Sequence, residues 1–427
     1  MTKEKSTVPR LRFPGFTDAW KQRKLGEVAD FSIKTNSLSR DKLSSYFYEV
    51  QNIHYGDILT KYDAILDVCN KELPSIIGST ISDFADDLLI EGDIVFADAA
   101  EDSTVGKAVE VRNFKGKNVV SGLHTIVARP KVSYAPYYLG YLINSTAYHN
   151  QILPLMQGTK VSSISKANLK STTVVFPTLP EQEAIGNFFS DLDQLITLHQ
   201  RKLDDVKELK KALLQKMFPK GNGNDFPELR FPEFTDAWKQ RKFSDLAEVR
   251  RGLTYSPSAI RSHGVRVLRS SNINEDTFVF GEDDVFVDKS VVKIPLVEEG
   301  DILITSANGS SRLVGKHSII KGLPSNSAIH GGFMLLASSK VPCFLNAFMS
   351  STWYHKFIGL YVAGGNGAIG NLNKSDLDEQ IVLVPTLPEQ EAIGSFFSDL
   401  DQLITLHQRQ LDHLKLLKKA LLQQMFI

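Results

Sequence analysis

Two glycine-rich segments of this chain resemble phosphate-binding motifs. Gly365–Gly370, with the letters GNGAIG, fits the GxGxxG pattern that cradles a dinucleotide pyrophosphate. That pattern requires a βαβ unit after it, whereas Pro385 and a long helical pattern follow too soon. Gly309–Lys316, GSSRLVGK, has five residues between its glycines instead of the four of a phosphate loop. We therefore interpret the first segment as a glycine-rich turn and reject the second as a nucleotide site.

Titratable and nucleophilic residues do not form a catalytic set in the sequence. Cys69 and Cys343 are the only cysteines, too few for a disulfide framework or a zinc cage and typical of a reducing cytoplasm. His124 and His330 precede apolar runs and are interpreted as structural hydrogen-bonding residues, not general bases. There is no methyltransferase motif of the Asn-Pro-Pro-Tyr type. We predict neither a catalytic residue nor a metal site.

Composition limits the possible classes of protein. The 427 residues suffice for two or three domains, and 42 % hydrophobic residues are ordinary for a globular protein. The polar start and the lack of eighteen consecutive apolar residues predict a cytoplasmic protein with no signal peptide and no membrane partner. With 49 basic and 49 acidic residues the net charge is zero. Any binding of nucleic acid must therefore use local patches, because bulk attraction would need a basic chain.

Two stretches of the chain are repeated. Leu11–Lys24 returns as Leu229–Lys242 with one difference, and Pro177–Phe218 returns as Pro385–Phe426 with 36 of 42 positions identical. The intervening segments, about 25–176 and 243–384, are almost unrelated in sequence. This pattern predicts a duplicated frame that holds two different inserts.

The second repeat has the spacing of a coiled coil. Apolar residues alternate in steps of four and three, which predicts helices of roughly 35–40 residues, about 55 Å long. The first positions of the seam are Ile185, Phe189, Leu192, Ile196 and His199 in one copy and Ile393, Phe397, Leu400, Ile404 and His407 in the other. Because the second insert connects the end of one helix to the start of the next, the helices should be antiparallel, related by a pseudo-two-fold axis. The two histidines share a heptad position, and we interpret them as residues that fix the register, not as metal ligands.

Both inserts have the short β-branched runs of strands. The predicted strands are Ile94–Ala97, Val119–Ala128 and Thr172–Phe176 in the first insert, and Val265–Leu268, Asp301–Thr305 and Gln380–Val384 in the second. Weak correspondences, such as Val105-Gly106-Lys107 with Val314-Gly315-Lys316 and Gln51-Asn52-Ile53 with Ser271-Asn272-Ile273, indicate one fold with divergent loops. The predicted class is α+β, with two β-rich domains joined by two long antiparallel helices.

The repeated motifs LRFPxFxxxW and PTLPEQEAIGxFFxxLDxLIxLHQR resemble those of the specificity subunit of type I restriction-modification systems, over essentially the whole chain. The resemblance implies that each insert is a target recognition domain for one half of a bipartite double-stranded DNA target. It implies that the helices set the spacer and dock two modification subunits, which restriction subunits join. The subunit itself would be non-catalytic and bind no cofactor. S-adenosylmethionine, ATP and Mg would serve the partner subunits.

The repeats predict the domain boundaries, and the resemblance implies the names of the domains. The boundaries are 1–24 for the N-terminal repeat segment, 25–176 for the first target recognition domain, 177–218 for the first long helix, 219–242 for the linker and repeat segment, 243–384 for the second target recognition domain, and 385–427 for the second long helix.

Recognition of base edges needs directional donors and acceptors, chiefly Arg, Asn, Gln and Lys with Ser and Thr in support. The predicted contacts in the first insert are Gln51, Asn52, His54, Gln157, Thr159 and Lys160, with Lys107 on a phosphate. Those in the second insert are Arg269, Ser270, Ser271, Asn272, Asn308, Ser310, Ser311, Arg312, Asn366 and Asn371, with Arg266 and Lys316 on phosphates. For each single residue the alternative, a solvated loop side chain, stays open.

A basic group is identical in the two halves. Lys21, Arg23 and Lys24 recur as Lys239, Arg241 and Lys242. Identical residues cannot distinguish two different half-sites, so contact with the DNA backbone or with a partner subunit is predicted. The alternative function from another class is a coiled-coil adaptor whose inserts bind proteins or glycans. Such an adaptor would bind without the steep salt dependence of phosphate contacts.

Overall fold

The computed structural model describes residues 8–220, 226–361 and 370–427, and the chain divides into two compact units. Unit 1 consists of residues 1–200 and 409–427, and unit 2 of residues 201–408. Each unit therefore holds one insert, the beginning of one long helix and the end of the other.

The first half of the chain, up to the end of the first long helix, contains thirteen described strands and six described helices. The strands are β1 Lys21–Lys24, β2 Ala29–Asp30, β3 Leu43–Ser44, β4 Val50–Ile53, β5 Ile65–Asp67, β6 Ser75–Ile76, β7 Ile94–Ala97, β8 Ala99–Ala100, β9 Ala108–Arg112, β10 Asn118–Ser121, β11 Thr125–Pro130, β12 Ser162–Ser163 and β13 Thr173–Phe176. The helices are α1 Leu25–Val28, α2 Tyr55–Thr60, α3 Tyr138–Ile143, α4 Thr146–Ile152, α5 Lys166–Ser171 and α6 Leu179–Lys216.

The second half of the chain contains fourteen described strands and four described helices in a similar order. The strands are β14 Lys239–Lys242, β15 Ala247–Arg251, β16 Ile260–Arg261, β17 Val265–Leu268, β18 Ile273–Asn274, β19 Thr277–Phe278, β20 Val285–Val287, β21 Ile302–Thr305, β22 Ala307–Asn308, β23 His317–Ile319, β24 Ala328–His330, β25 Met334–Ser339, β26 Gly370–Asn371 and β27 Ile381–Val384. The helices are α7 Pro342–Met349, α8 Thr352–Tyr361, α9 Lys374–Asp378 and α10 Leu387–Met425.

The two inserts have the same topology, apart from one additional strand in unit 1, β5, although their sequences differ. In unit 1 one sheet has the order β2-β11-β7-β9-β5 and the other β10-β4-β6-β3; in unit 2 the orders are β15-β25-β21-β23 and β24-β17-β20-β16. In each second sheet the first pair, β10 with β4 and β24 with β17, is parallel. The prediction of one fold with divergent loops is thus confirmed. The predicted strands are present, except that Val119–Ala128 is two strands, because a turn at Gly122 interrupts it.

One predicted correspondence between the inserts is wrong. The Gly122 N–H donates to the Ile53 carbonyl at 2.9 Å, and the Gly331 N–H donates to the Leu268 carbonyl at the same distance. Ile53 therefore corresponds to Leu268, and Gln51 corresponds to Arg266. The similarity of Gln51-Asn52-Ile53 to the letters SNI at 271–273 is accidental, because a five-residue shift, an odd number, would place the side chains on the wrong faces of the strand.

Within each unit the segments of the long helices run antiparallel, as predicted. In unit 1 Lys418, near the end of α10, lies 2.5 Å from Asp193, near the start of α6. In unit 2 Lys210, near the end of α6, lies 2.6 Å from Asp401, near the start of α10. The seam residues named above are buried or half-buried along both helices, while most neighbours are exposed. The spacing of apolar residues thus predicted both the helices and their mode of packing.

The repeated opening segment ties each insert to a long helix. In unit 1 the Arg12 guanidinium donates two hydrogen bonds to the Glu181 carboxylate, at 2.5 and 2.7 Å, and the Trp20 indole N–H lies 3.4 Å from it. In unit 2 Arg230 and Trp238 bind Glu389 in the same way. Both glutamates are fully buried. In each unit a buried glutamate therefore forms an ion pair with an arginine of the repeated opening segment, at the start of a long helix.

The opening segment also follows the end of the opposite helix. The Leu11 N–H donates to the Gln424 carbonyl at 3.0 Å in unit 1, as the Leu229 N–H donates to the Lys216 carbonyl at 2.9 Å in unit 2. In unit 1, residues 8–24 therefore lie against the end of α10. Residues 226–242 occupy the equivalent position after the end of α6 in unit 2. None of the described helices is long and apolar enough to cross a membrane.

Candidate nucleic-acid interface

In unit 2 four polar segments meet at the carboxyl ends of β17, β21 and β24. The Asn308 side-chain amide donates to the Ser270 hydroxyl at 3.2 Å. β22 pairs with β26, so that Asn308 lies opposite Gly370 and Ala307 opposite Asn371. The Phe333 carbonyl accepts from the backbone N–H groups of Ser306 and Ala307 at 2.9 and 3.2 Å. We call the group made of residues 270–271, 308–312, 332–333 and 371 the second edge.

The same backbone arrangement occurs in unit 1 at the carboxyl ends of β4, β7 and β10. The Asp98 N–H donates to the His124 carbonyl at 3.0 Å, and β8 pairs with β12. The His54 and Tyr55 rings lie 4.7 Å apart, and Tyr55 lies edge-to-face with His124 at 5.3 Å between ring centroids. Residues 54–55, 99–104, 123–124 and 157–163 form what we call the first edge. The two edges have the same arrangement of backbone segments and differ in their side chains.

A closed loop projects from the first edge. Gln157 and Ser163 exchange two backbone hydrogen bonds of 2.9 and 2.7 Å, which close the loop between them. Gly158 has a φ of +106°, and a Cβ there would lie 2.1 Å from the Val161 carbonyl oxygen, so only glycine fits. The loop exposes the side chains of Thr159 and Lys160, with Gln157 at its base. A rigid loop of this kind can hold donors in a fixed position.

The remaining predicted contacts of the first insert lie away from the exposed surface of this edge. Gln51 and Asn52 lie within β4 and are buried, and the Asn52 amide oxygen accepts from the Asn36 side chain at 2.8 Å. His54 is largely buried at the edge, where it caps α2 by accepting from the Gly56 N–H, and burial together with nearby Arg40 lowers its pKa. We therefore regard Gln51 and Asn52 as supports for the edge.

Lys107 lies in a cavity of about 340 Å³ that α3, α4 and the end of α10 also line. Its ammonium donates to the Leu59 carbonyl at 3.2 Å, and partial burial lowers its pKa. The cavity also contains Lys418, at the level of the long helices. Lys107 thus lies in a cavity between the helices and Ser103 and Thr104 of the first edge, and is itself only half-exposed.

In the second insert several predicted contacts are engaged within the protein. Arg266 stacks on Phe280 and Phe286 at 4.7 and 4.9 Å and pairs with Asp284. Asn272 is fully buried, and its side chain bonds Arg269, Val279 and Asp284. These bonds hold the loop that follows β17, so we regard both residues as supports.

The other predicted residues of the second insert are more accessible. Arg269, which bonds Asp283, and Lys316 are half-buried. The exposed or half-exposed members of the second edge are Ser270, Ser271, Asn308, Ser310, Ser311, Arg312 and Asn371. Asn366 lies outside the described residues.

The repeated basic groups form exposed strands in both units. β1 pairs with β13 and β14 pairs with β27, both antiparallel and in the same register. Lys24 donates to the Ser171 carbonyl at 2.9 Å and Lys242 lies 2.6 Å from Glu379. The strands belong to the constant frame, beside the long helices and separate in sequence from the segments of the two edges.

The charges of the two edges differ. The first edge carries the exposed carboxylates of Glu101 and Asp102, and Asp98 lies 3.3 Å from the His124 ring. Partial burial raises the pKa of Asp98. The described segments of the second edge contain Arg312 and no carboxylate. Carboxylates accept hydrogen bonds from the cytosine amino group and Arg donates to guanine, so the two edges suit different bases.

The family of the chain follows from comparison with known proteins. The sequence profile described as "Type I restriction modification DNA specificity domain" matches residues 17–208 and again residues 235–416. The chain belongs to this family. Each match covers one insert with most of the long helix that follows it. No group of three or more His, Cys, Asp or Glu side chains within the described ranges could hold a metal ion.

Individual members of the specificity family are similar over most of the chain. A putative type I restriction enzyme MjaX specificity subunit from Methanocaldococcus jannaschii is 24 % identical over 414 residues, which cover 94 % of this chain and 92 % of that protein. The EcoKI specificity subunit from Escherichia coli K12 is 24 % identical over 275 residues, 62 % of this chain and 59 % of that protein.

Two solved structures share the fold. A type I restriction-modification S subunit from M. genitalium matches with a TM-score of 0.61 at 15 % identity, over 98 % of this chain and 99 % of that one. A chain from a structural study of the assembly and conformational transition of a type I R-M system matches with a TM-score of 0.52 at 16 % identity, over 96 % and 97 % of the two chains. At these identities the likeness concerns the fold.

Sequence reasoning missed two members of the edges. His330 is buried and its ring lies 3.3 Å from the Arg250 carbonyl, in keeping with the predicted structural role, and burial lowers its pKa to about 4. His124, in contrast, is half-exposed at the turn of the first edge. Phe333, at the equivalent turn of the second edge, is 74 % exposed. Base-edge recognition predicts hydrogen-bonding side chains at the interface, and an apolar side chain such as that of Phe333 does not fit that criterion. The Gly331-Gly332 pair before it was the available signal of a tight turn.

Proposed function

We propose that this chain is the DNA specificity subunit of a type I restriction-modification complex, and that each edge binds one half of a bipartite DNA target. The observation that carries the proposal is that the two edges have the same backbone arrangement but present different side chains. A constant backbone with variable donors and acceptors is what two recognition sites of different specificity require. The family to which the chain belongs supports the same function.

The proposed contacts are those predicted side chains that are accessible at the edges. In the first insert they are Gln157, Thr159 and Lys160, while His54 is buried and has lower priority. In the second they are Arg269, Ser270, Ser271, Asn308, Ser310, Ser311, Arg312 and Asn371. Arg and Asn side chains can bind guanine and adenine edges with two hydrogen bonds each. Lys107 and Arg266 have lower priority because their cationic groups are engaged within the protein. Lys316 has lower priority because it lies outside the residues of the second edge.

The chemistry of the complex is proposed to lie in other subunits. Two modification subunits would supply methyl transfer from S-adenosylmethionine, and restriction subunits would supply ATP- and Mg-dependent translocation and cleavage. The basic strands β1 and β14 are identical in both halves. Their exposed side chains therefore suit contacts with DNA phosphates or with a partner subunit; they are Lys21, Arg23, Lys239 and Arg241. The long helices would also bind the modification subunits. An adaptor for proteins or glycans is not favoured, since the family is one of DNA specificity subunits.

The experiment that tests this function is a methylome measurement. A host without DNA methylation expresses the chain with its cognate modification subunit, and single-molecule sequencing identifies methylated motifs. We expect one split motif that disappears without this chain. A chimaera in which another family member's insert replaces residues 25–176 should change one half of the motif and keep the other. A co-purified complex that methylates no split motif would refute the proposal.

A further inference from the structure

One turn in each insert, between β10 and β11 in the first and between β24 and β25 in the second, has the same backbone arrangement but a different exposed side chain. His124 and Phe333 each follow a glycine-containing turn, and each offers its carbonyl to the residue that follows the neighbouring strand, Asp98 or Ser306. The distances are 3.0 and 2.9 Å. The two residues are therefore structurally equivalent. An imidazole occupies in one insert the place that a phenyl ring occupies in the other.

The turn that carries Phe333 is held tightly. The Leu253 N–H donates to the His330 carbonyl at 2.9 Å, and the Gly331 N–H donates to the Leu268 carbonyl at 2.9 Å. A Cβ on Gly332 would lie 2.5 Å from the Thr254 hydroxyl oxygen, so a larger residue there would require the Thr254 side chain or the turn to shift. An exposed ring on a fixed turn can bind a partner with little loss of conformational entropy.

The surroundings of Phe333 indicate what that partner is. Polar groups able to bind base edges flank the turn, with Asn308 on one strand and Asn371 on the paired strand. The major groove presents hydrogen-bonding groups together with one apolar group, the 5-methyl of thymine. A surface that mixes amides with one phenyl ring matches that pattern.

We propose that Phe333 is a specificity-determining residue that contacts a thymine methyl group in the half-site of the second insert. His124, its equivalent, binds a base edge through its imidazole in the half-site of the first insert. This inference rests on the proposed function, because it presumes that the edges bind DNA. It adds which residue of each turn discriminates bases and by what chemistry.

The first test uses methylation by the complex of this chain with its modification subunit. Phe333→Ala should relax discrimination at one A·T position of the second insert's half-site by about 5- to 150-fold, the range of one mismatched pair. The other half-site should be unchanged, which also shows that the complex is folded. His124→Ala should relax one position of the first insert's half-site only. The matched control is Ile381→Ala, which removes an exposed apolar side chain from β27, outside the second edge.

The second test replaces thymine by uracil, which lacks only the methyl group. At the position that Phe333→Ala relaxes, the uracil duplex should lower methylation by the unaltered protein as much as the substitution does. Combining both changes should give no further loss, as expected for two partners of one contact. Additive losses, or a Phe333→Ala complex that keeps full discrimination at every position, would overturn the inference. The proposed function would fail separately, if the unaltered protein directed no split motif.

Discussion

At the scale of single residues, the buried Arg–Glu pairs of the repeated frame should dominate stability. Arg12→Ala leaves the Glu181 carboxylate buried without its guanidinium, and we expect unit 1 to lose about 3–5 kcal/mol of unfolding free energy. Arg230→Ala should do the same to unit 2. Hydrogen exchange in the full chain measures this, since peptides from β7 and β21 report the two units separately.

Arg23→Ala is the control for that experiment, because Arg23 lies on the exposed strand β1 and its loss should change stability by less than about 0.5 kcal/mol. Replacing both partners, with Arg12→Leu and Glu181→Met, should recover much of the loss, since no charge then stays buried. If Arg12→Ala behaved like Arg23→Ala, the ion pair would not hold the insert to the helix.

Residue types predicted the candidate interface only in part. Ser270, Asn308 and Asn371 were chosen for their chemistry, and the structure brings them together at the second edge. Asn52 and Asn272 were chosen on the same grounds and are fully buried. A polar residue serves equally as a support or as a contact, and the distinction depends on strand register, which no local pattern specifies.

At the scale of elements, the two ion pairs of the long helices differ in one neighbour. Lys210 and Asp401 pair in unit 2, whereas in unit 1 Asp193 binds both Lys418 and the Tyr141 hydroxyl, which donates at 2.8 Å. Asp401→Lys should destabilise unit 2 by about 1 kcal/mol, since the pair is only partly buried. Adding Lys210→Asp should restore stability, because the exchanged charges attract again.

The same exchange in unit 1 is the matched comparison. With Asp193→Lys and Lys418→Asp the ion pair is regained, but the Tyr141 hydroxyl then faces an ammonium that cannot accept its hydrogen. We therefore expect restoration in unit 2 and only partial restoration in unit 1, measured by hydrogen exchange along α6 and α10. Equal restoration in both units would show that Tyr141 contributes nothing to the helix contact.

The elements themselves were the most predictable part of the structure. The steps of four and three along α6 and α10 repeat over almost the whole helix, so each residue adds to one signal. The strands Ile94–Ala97 and Val265–Leu268 were found from β-branched runs. The correspondence between inserts was harder to predict, since the letters SNI matched by chance while the hydrogen bonds align Ile53 with Leu268.

At the scale of the whole molecule, duplication separates two tasks. The frame is nearly identical in both halves, including the Arg–Glu pairs and the ends of the long helices. The inserts keep one topology and vary at the edges. Selection on the frame can therefore preserve assembly while the inserts change specificity. The exchange of one insert should leave the other half-site unaffected.

We expect the length of the long helices to set the length of the spacer between the half-sites. Inserting four residues after Gln200 and four after Gln408 lengthens each helix by about 6 Å and turns it by about 40°, close to the twist of one base pair. We expect a methylated motif whose gap is one or two base pairs longer and whose half-sites are unchanged. A four-residue insertion also keeps the apolar seam facing its partner, as in natural stutters.

Two-residue insertions at the same places provide the control for that prediction. They turn each helix by about 200° and direct the seam away from its partner, so the complex should lose methylation altogether. Sequencing the methylome of both variants distinguishes the outcomes. New bases within a half-site of the four-residue variant would show that the long helices take part in base recognition. An unchanged gap would show that something other than helix length sets the spacer.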